Sequence, residues 1–113
     1  MAESPYAKMR SRARIKTDLK AQYFIKNDES QPFECKVIDL SAAGAGVISQ
    51  HNGKISNGDI IAINISLPNT ILFVSVRAEI RWMRRRANDC ICGTQFQELL
   101  SESMFQQLIK KSA

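Results

Sequence analysis

Long apolar runs are missing from this 113-residue sequence. No stretch reaches the roughly 18 consecutive apolar residues that a membrane-spanning helix needs, so no membrane insertion is expected. Met1 to Lys8 holds no apolar segment of the kind a secretory leader carries, and the expected compartment is the cytoplasm. Histidine occurs once, as His51, inside the turn-like composition His51-Asn52-Gly53-Lys54. Gly-x-Ser-x-Gly, Walker and His-Glu-x-x-His patterns are all lacking. A cysteine nucleophile would want a histidine beside it, and nothing in the order of residues brings His51 to one. The chain is therefore read as non-enzymatic. Cysteine is scarce and odd in number: Cys35, Cys90 and Cys92 make a poor disulfide framework. Cys90 and Cys92, two apart, share a strand face. With His51 they could supply four zinc ligands by count, but the spacing fits no known finger, so no metal is expected. The bland reading is three small buried hydrophobes in a reducing compartment.

What is present is ordinary for a globular chain: 44% hydrophobic and 24% charged residues. The length suits one domain. Residues 1–8, with Ser4-Pro5, read as a flexible tail, and 9–113 as a single domain. The net charge of +5 is unevenly spread. Lys8, Arg10, Arg12, Arg14 and Lys16 form one cluster, and Arg81, Arg84, Arg85 and Arg86 form another. Each is either a solvated basic face or a landing place for an anion.

Apolar periodicity outlines mostly strands. Ile15, Thr17, Leu19, Ala21, Tyr23 and Ile25 alternate with polar residues, a half-buried strand. Asn27 to Pro32 reads as a turn, Phe33 to Leu40 as a second strand, and Ala45 to Ser49 as a short third. Ile60 to Leu67 follows, with Ile61, Ile63, Ile65 and Leu67 on one face, ended by Pro68-Asn69. Ile71 to Met83 is the longest run, with Leu72, Val74, Val76, Ala78, Ile80 and Trp82 facing inward. Arg84 to Asp89 reads as a polar connection and Cys90 to Gln97 as a last strand. Leu99 to Lys111 has helical spacing through Leu100, Met104 and Leu108, with Phe105 and Ile109 beside them and Ser101 as N-cap. About six short antiparallel strands and one closing helix point to a small all-β barrel, since closure removes exposed strand edges.

Two short segments carry chemistry. The first is Arg10-Ser11-Arg12-Ala13-Arg14, just ahead of the first strand. The second is Asp39-Leu40-Ser41-Ala42-Ala43-Gly44, where a strand runs into small residues. A guanidinium is planar and forked, and pairs with phosphate oxygens or with the O6/N7 edge of guanine. A carboxylate accepts from the N–H donors on guanine's other edge. A serine hydroxyl or exposed backbone N–H can hold phosphate. Glycine allows positive φ and close approach of a ligand. Each segment alone is also a common turn or a common basic stretch.

Taken together, the two segments resemble the signature of the PilZ family: Arg-x-x-x-Arg, then (Asp/Asn)-x-Ser-x-x-Gly. The resemblance spans residues 9–111 and includes Ala45-Gly46-Val47 and Cys92-Gly93-Thr94-Gln95-Phe96 as later strands. It implies a bacterial protein with a six-stranded antiparallel barrel and a C-terminal helix. It also implies a receptor for cyclic di-GMP. By that resemblance Arg10 and Arg14 grip phosphates and guanine edges from the leading segment. Asp39 binds the base, Ser41 assists at base or phosphate, and Gly44 keeps the surface open. Met9, Arg12 and Ala43 are further candidates. In the family an arginine at the place of Met9 accompanies a stacked ligand pair, so Met9 points to one ligand molecule, a count Arg12 can alter. The mechanism expected for this chain is that ligand orders its leading segment against the barrel and so alters contact with a downstream protein. The alternatives are a PilZ-like scaffold that binds protein partners without nucleotide, and a barrel that binds RNA or DNA through its arginines. Nucleic acid is not the expected partner, because stacking aromatics are few and Trp82 reads as core.

Overall fold

The computed structural model describes residues 14–25, 28–50 and 54–112. Six strands form a closed antiparallel barrel: β1 (Ile15–Ile25), β2 (Asp28–Ser41), β3 (Gly44–Gln50), β4 (Ile60–Ser66), β5 (Phe73–Arg85) and β6 (Asp89–Phe96). Round the barrel the order is β1-β2-β3-β6-β5-β4, with β4 pairing back onto β1. One helix, α1 (Glu102–Ser112), follows β6.

The alternation of apolar residues is what closes the barrel. Leu19 and Tyr23 on β1, Val37 on β2, Ile63 and Ile65 on β4 and Ile80 on β5 are at most 1% exposed, all pointing inward. Tyr23 stacks on Phe33 with ring centroids 5.3 Å apart. Phe105 and Leu108 of α1 complete the same core. Ser101 caps the helix, its Oγ accepting the Met104 N–H at 3.1 Å. Met104 itself is 45% exposed, so the helix buries Phe105 and Leu108 rather than the expected Leu100, Met104, Leu108 line. Leu100 is buried, but ahead of the helix.

Several boundaries differ from expectation. β2 begins at Asp28, so most of the segment read as a turn is strand. Pro32 is tolerated there because it lies at an irregularity in the β1–β2 register, and β3 pairs with β2 only from Cys35 onward. β5 starts at Phe73 and runs through Arg85. Arg84 and Arg85 pair with Ile91 and Cys90, so a polar run continues the ladder instead of ending it. Leu72, which alternation predicts on the inward face of β5, lies ahead of that strand and is 62% exposed.

At one end of the barrel the β2–β3 turn is pinned in place. The Phe96 N–H donates to the Ala43 carbonyl at 2.7 Å and the Leu100 N–H to the Ala42 carbonyl at 2.8 Å. The start of β1, the tip of the β2–β3 hairpin and the approach to α1 are thereby gathered at one place.

Candidate functional site

Strict alternation along β2 would put Asp39 inside with Cys35 and Val37. Instead Val37 and Leu40 are both fully buried, and the β2–β3 register slips between Val37 and Asp39. This bulge inserts one residue and turns Asp39 outward. β5 repeats the device. Its register with β6 slips between Ile80 and Trp82, and Met83, not Trp82, packs against the core. Trp82 is 47% exposed, which corrects the reading of this residue as core. The signal was present in sequence as apolar residues three apart, Val37/Leu40 and Ile80/Met83, but only pairing with the neighbouring strand tells a bulge from chance.

The two bulges aim at each other. Asp39 pairs with Gly46, Gly46 with Gly93, and Gly93 with Trp82, one continuous row across β2, β3, β6 and β5. The middle of that row is a pair of glycines. A Cβ on Gly46 would lie 2.6 Å from an Asp39 carboxylate oxygen, and one on Gly93 would lie 2.0 Å from Trp82 Nε1. A carboxylate and an indole thus lean over a glycine floor from opposite sides.

Arg14 stands immediately ahead of β1. Its Nη1 lies 2.5 Å from Asp39 Oδ1, and the same oxygen accepts the Gly46 N–H at 2.9 Å. The two side chains are 51% and 31% exposed, so the pair faces solvent. Ser41 is buried and works within the turn. Its hydroxyl accepts from the Ala43 N–H at 3.3 Å and lies 3.4 Å from the Gly44 carbonyl. Gly44 does not use positive φ, which among the described glycines belongs to Gly58. It is small because a Cβ there would sit 2.2 Å from the Thr94 carbonyl oxygen. Arg14, Ser41, Ala43, Gly44, Arg81, Trp82, Gly93, Thr94 and Gln95 together line an open depression of about 270 Å³.

Of the residues expected to bind ligand, Arg14, Asp39, Ser41, Ala43 and Gly44 are therefore brought to one corner. Met9, Arg10 and Arg12 lie outside the described residues, as does His51. Sequence reasoning missed Arg81, Trp82, Gly93 and Gln95 as neighbours of this corner, and Gly46 as its floor.

Other candidates are absorbed elsewhere. Arg86 forms a two-pronged pair with Asp89, at 2.5 and 2.7 Å. The hydrogen bond from Arg86 holds the Asp89 carboxyl below its usual range. Arg85 donates to the Ile55 carbonyl at 3.0 Å. All three cysteines are buried and free, and Cys90 and Cys92 point the same way with sulfurs 3.8 Å apart. Burial pushes the Cys35 and Cys92 thiols up to about 12, keeping them protonated and poorly nucleophilic. Among the described residues no group of three or more His, Cys, Asp or Glu is placed to hold a metal, and no helix is long and apolar enough to cross a membrane.

The model of the PilZ domain matches residues 8–111. The chain belongs to the PilZ domain family. Solved structures carry the same fold. This PilZ domain superposes on the PilZ domain with c-di-GMP of YcgR from Escherichia coli with a TM-score of 0.66 and 15% identity, covering 88% of this chain and 85% of that one. It superposes on the Bacillus subtilis inhibitor of motility (MotI/DgrA) with a TM-score of 0.65 and 15% identity. That match covers 86% of this chain but 46% of the other, so the domain spans about half of that protein. No curated protein matches in sequence. Of the two arginines singled out in the sequence, Arg10 precedes the described residues and Arg14 is the one paired with Asp39.

Proposed function

We propose that this PilZ domain is a receptor for cyclic di-GMP, with Arg14, Asp39, Ser41, Ala43 and Gly44 at the ligand and Arg10 reaching it from the leading segment. The observation that carries the reading is the solvent-facing Arg14–Asp39 pair beside an open depression whose far wall is Trp82. An exposed ion pair of this kind contributes at most about 1 kcal/mol. A ligand that offers both an anion and a guanine edge replaces each partner with a better one. Phosphate or the O6/N7 edge takes the guanidinium, and the guanine N–H donors take the carboxylate. Each good bidentate contact is worth roughly 1–3 kcal/mol. The exchange is favourable even after the ligand is ordered, and a few such contacts reach the about 8 kcal/mol of a micromolar complex. The indole of Trp82 offers a face for base stacking, a contact of about 1–3 kcal/mol. The fold shared with the c-di-GMP-bound domain of YcgR supports the ligand's identity.

In this reading the exchange is also the signal. Arg14 stands immediately before β1, so leaving Asp39 changes how the leading segment meets the barrel. Ligand selects one arrangement of that segment, and a downstream protein reads it.

Calorimetric titration of the purified protein with cyclic di-GMP tests this. Saturable binding is expected, weakened about tenfold or more in Arg10→Ala, Arg14→Ala and Asp39→Ala. Cyclic di-AMP, lacking O6 and the 2-amino group, should bind far more weakly. Absence of heat with wild-type protein would leave the scaffold reading, in which Arg14 and Asp39 only hold each other. A steeply salt-dependent affinity for oligonucleotides would instead favour nucleic acid.

A further inference from the structure

Seventeen consecutive residues, Ile60 to Val76, contain no Asp, Glu, Lys, Arg or His, in a chain of which 24% is charged. They make up β4, its turn and the first part of β5. The inward half needs no explanation: Ile61, Ile63, Ile65 and Val74 are core. The outward half does. Ala62, Asn64 and Ser66 of β4 pair with Arg77, Ser75 and Phe73 of β5, and these residues face away from the core. At the tip three apolar residues stand in a row, Ile71 at 100%, Leu72 at 62% and Phe73 at 52% exposure. Consecutive exposed apolar residues are a liability in a soluble domain unless something covers them.

The tip is built to present them. Leu67 N–H donates to the Leu72 carbonyl at 3.0 Å, and Thr70 N–H to the Leu67 carbonyl at 3.2 Å. Thr70 Oγ1 donates to the Leu67 carbonyl at 2.9 Å and accepts from the Leu72 N–H at 3.0 Å. Asn69 takes the left-handed conformation at φ 65°, which asparagine tolerates well. Ile71 is therefore held out on a closed, hydrogen-bonded turn.

A few residues back along the same hairpin lies a depression of about 460 Å³ lined by Phe24, Ala62, Asn64, Ser75, Val76 and Arg77. Phe73 shares the outward face of the hairpin with the residues of the hollow, and Ile71 and Leu72 stand just beyond it at the tip. A twofold axis between this apolar knob and the hollow would set the tip of each copy into the hollow of the other, the reciprocal arrangement that an isologous interface requires. Charge favours the same occupant. Two copies at +5 each repel one another, and Ile60 to Val76 is an uncharged strip on which they can meet, with Arg77 the one charged residue lining the hollow. Phe24 and the methylenes of Arg77 offer the tip an apolar lining.

We propose that the outer face and tip of the β4–β5 hairpin form a twofold interface between two copies of this chain. Sedimentation velocity on the full chain over a range of concentrations is the test. Wild-type protein should shift from monomer to dimer as concentration rises. Ile71→Glu charges the knob and Ala62→Lys charges the hollow. Both positions face outward, so both variants should keep the wild-type circular dichroism while dimerising about tenfold or more weakly. Mixing the two variant chains should restore a dimer, because the acidic knob then meets the basic hollow and the second contact is wild type on both sides. That rescue is expected of a reciprocal interface and of no other use of the tip. Wild-type protein that stays monomeric at every concentration overturns the proposal. So does a dimer that survives both substitutions, or cosedimentation of monomer with anionic phosphatidylglycerol vesicles that Ile71→Glu abolishes. None of these readouts involves nucleotide, so the outcome is independent of the receptor reading.

Discussion

Two glycines that line the same depression are small for different physical reasons. At Gly44 an added methyl meets a backbone oxygen, Thr94 O, which cannot step aside without breaking the β3–β6 ladder. At Gly93 it meets the exposed indole of Trp82, which can swing away. Gly44→Ala should therefore cost about 1–3 kcal/mol of stability, the range of overpacked sites, read from urea unfolding. Gly93→Ala should stay within about 1 kcal/mol of wild type. It should instead shift the emission of the sole tryptophan and, in the receptor reading, weaken the ligand. A Gly93→Ala protein as unstable as Gly44→Ala would mean that Trp82 is held harder than its exposure indicates. At this scale the sequence was partly legible. Asp39, Ser41 and Gly44 stood out by their spacing, but the reason for Gly44 did not, because the Thr94 carbonyl is fifty residues away along the chain.

Elements owe their ends to local chemistry and their faces to tertiary contact. α1 starts where Ser101 can accept the Met104 N–H, and Ser101→Ala should cost about 1 kcal/mol. Its buried line runs through Phe105 and Leu108, both 2% exposed or less. Leu108→Ala should then cost about 2–5 kcal/mol, while Met104→Ala, on the exposed side, should cost well under 1 kcal/mol. Thermal or urea unfolding of the three variants checks the order. Periodicity alone placed Met104 in that line because residues four apart and three apart on a helix fit the same stripe, and only the barrel end decides its centre. The strands tell the same story. Alternation located β1, β4 and the body of β5 well, and failed at the bulges in β2 and β5. A bulge is a property of two strands in register, so a single strand's pattern carries it only as a break in phase.

For the whole molecule, the closed barrel makes a dry interior, and its thiols report on it. Cys35 and Cys92 are raised from an ordinary 9.0 to about 12, mainly by burial. An acid with a raised folded-state value stabilises the native form fully below its unfolded value. That contribution is lost as pH rises from about 9 towards 12, where the unfolded chain ionises first. The melting temperature should fall over that window, and Cys35→Ala and Cys92→Ala should each flatten the fall relative to wild type. A slope unchanged by either substitution would assign the base sensitivity to other groups. In the receptor reading cyclic di-GMP binds only the folded barrel, so at a hundredfold excess over its dissociation constant it should add about 2.7 kcal/mol at neutral pH.

Residue order by itself determined that this chain is a small antiparallel barrel with a closing helix, because period-two apolar alternation broken by turn residues has few other ways to bury its face. It also determined which short segments hold an arginine, a carboxylate and small residues, because those types and spacings are local. Tertiary structure decided where the chemistry meets. It brought Arg14 to Asp39, laid Gly46 beside Gly93, and used two bulges to turn Asp39 and Trp82 outward over that floor. Those outcomes depend on strand register, which is set by partners distant along the chain and so lies beyond any window of sequence.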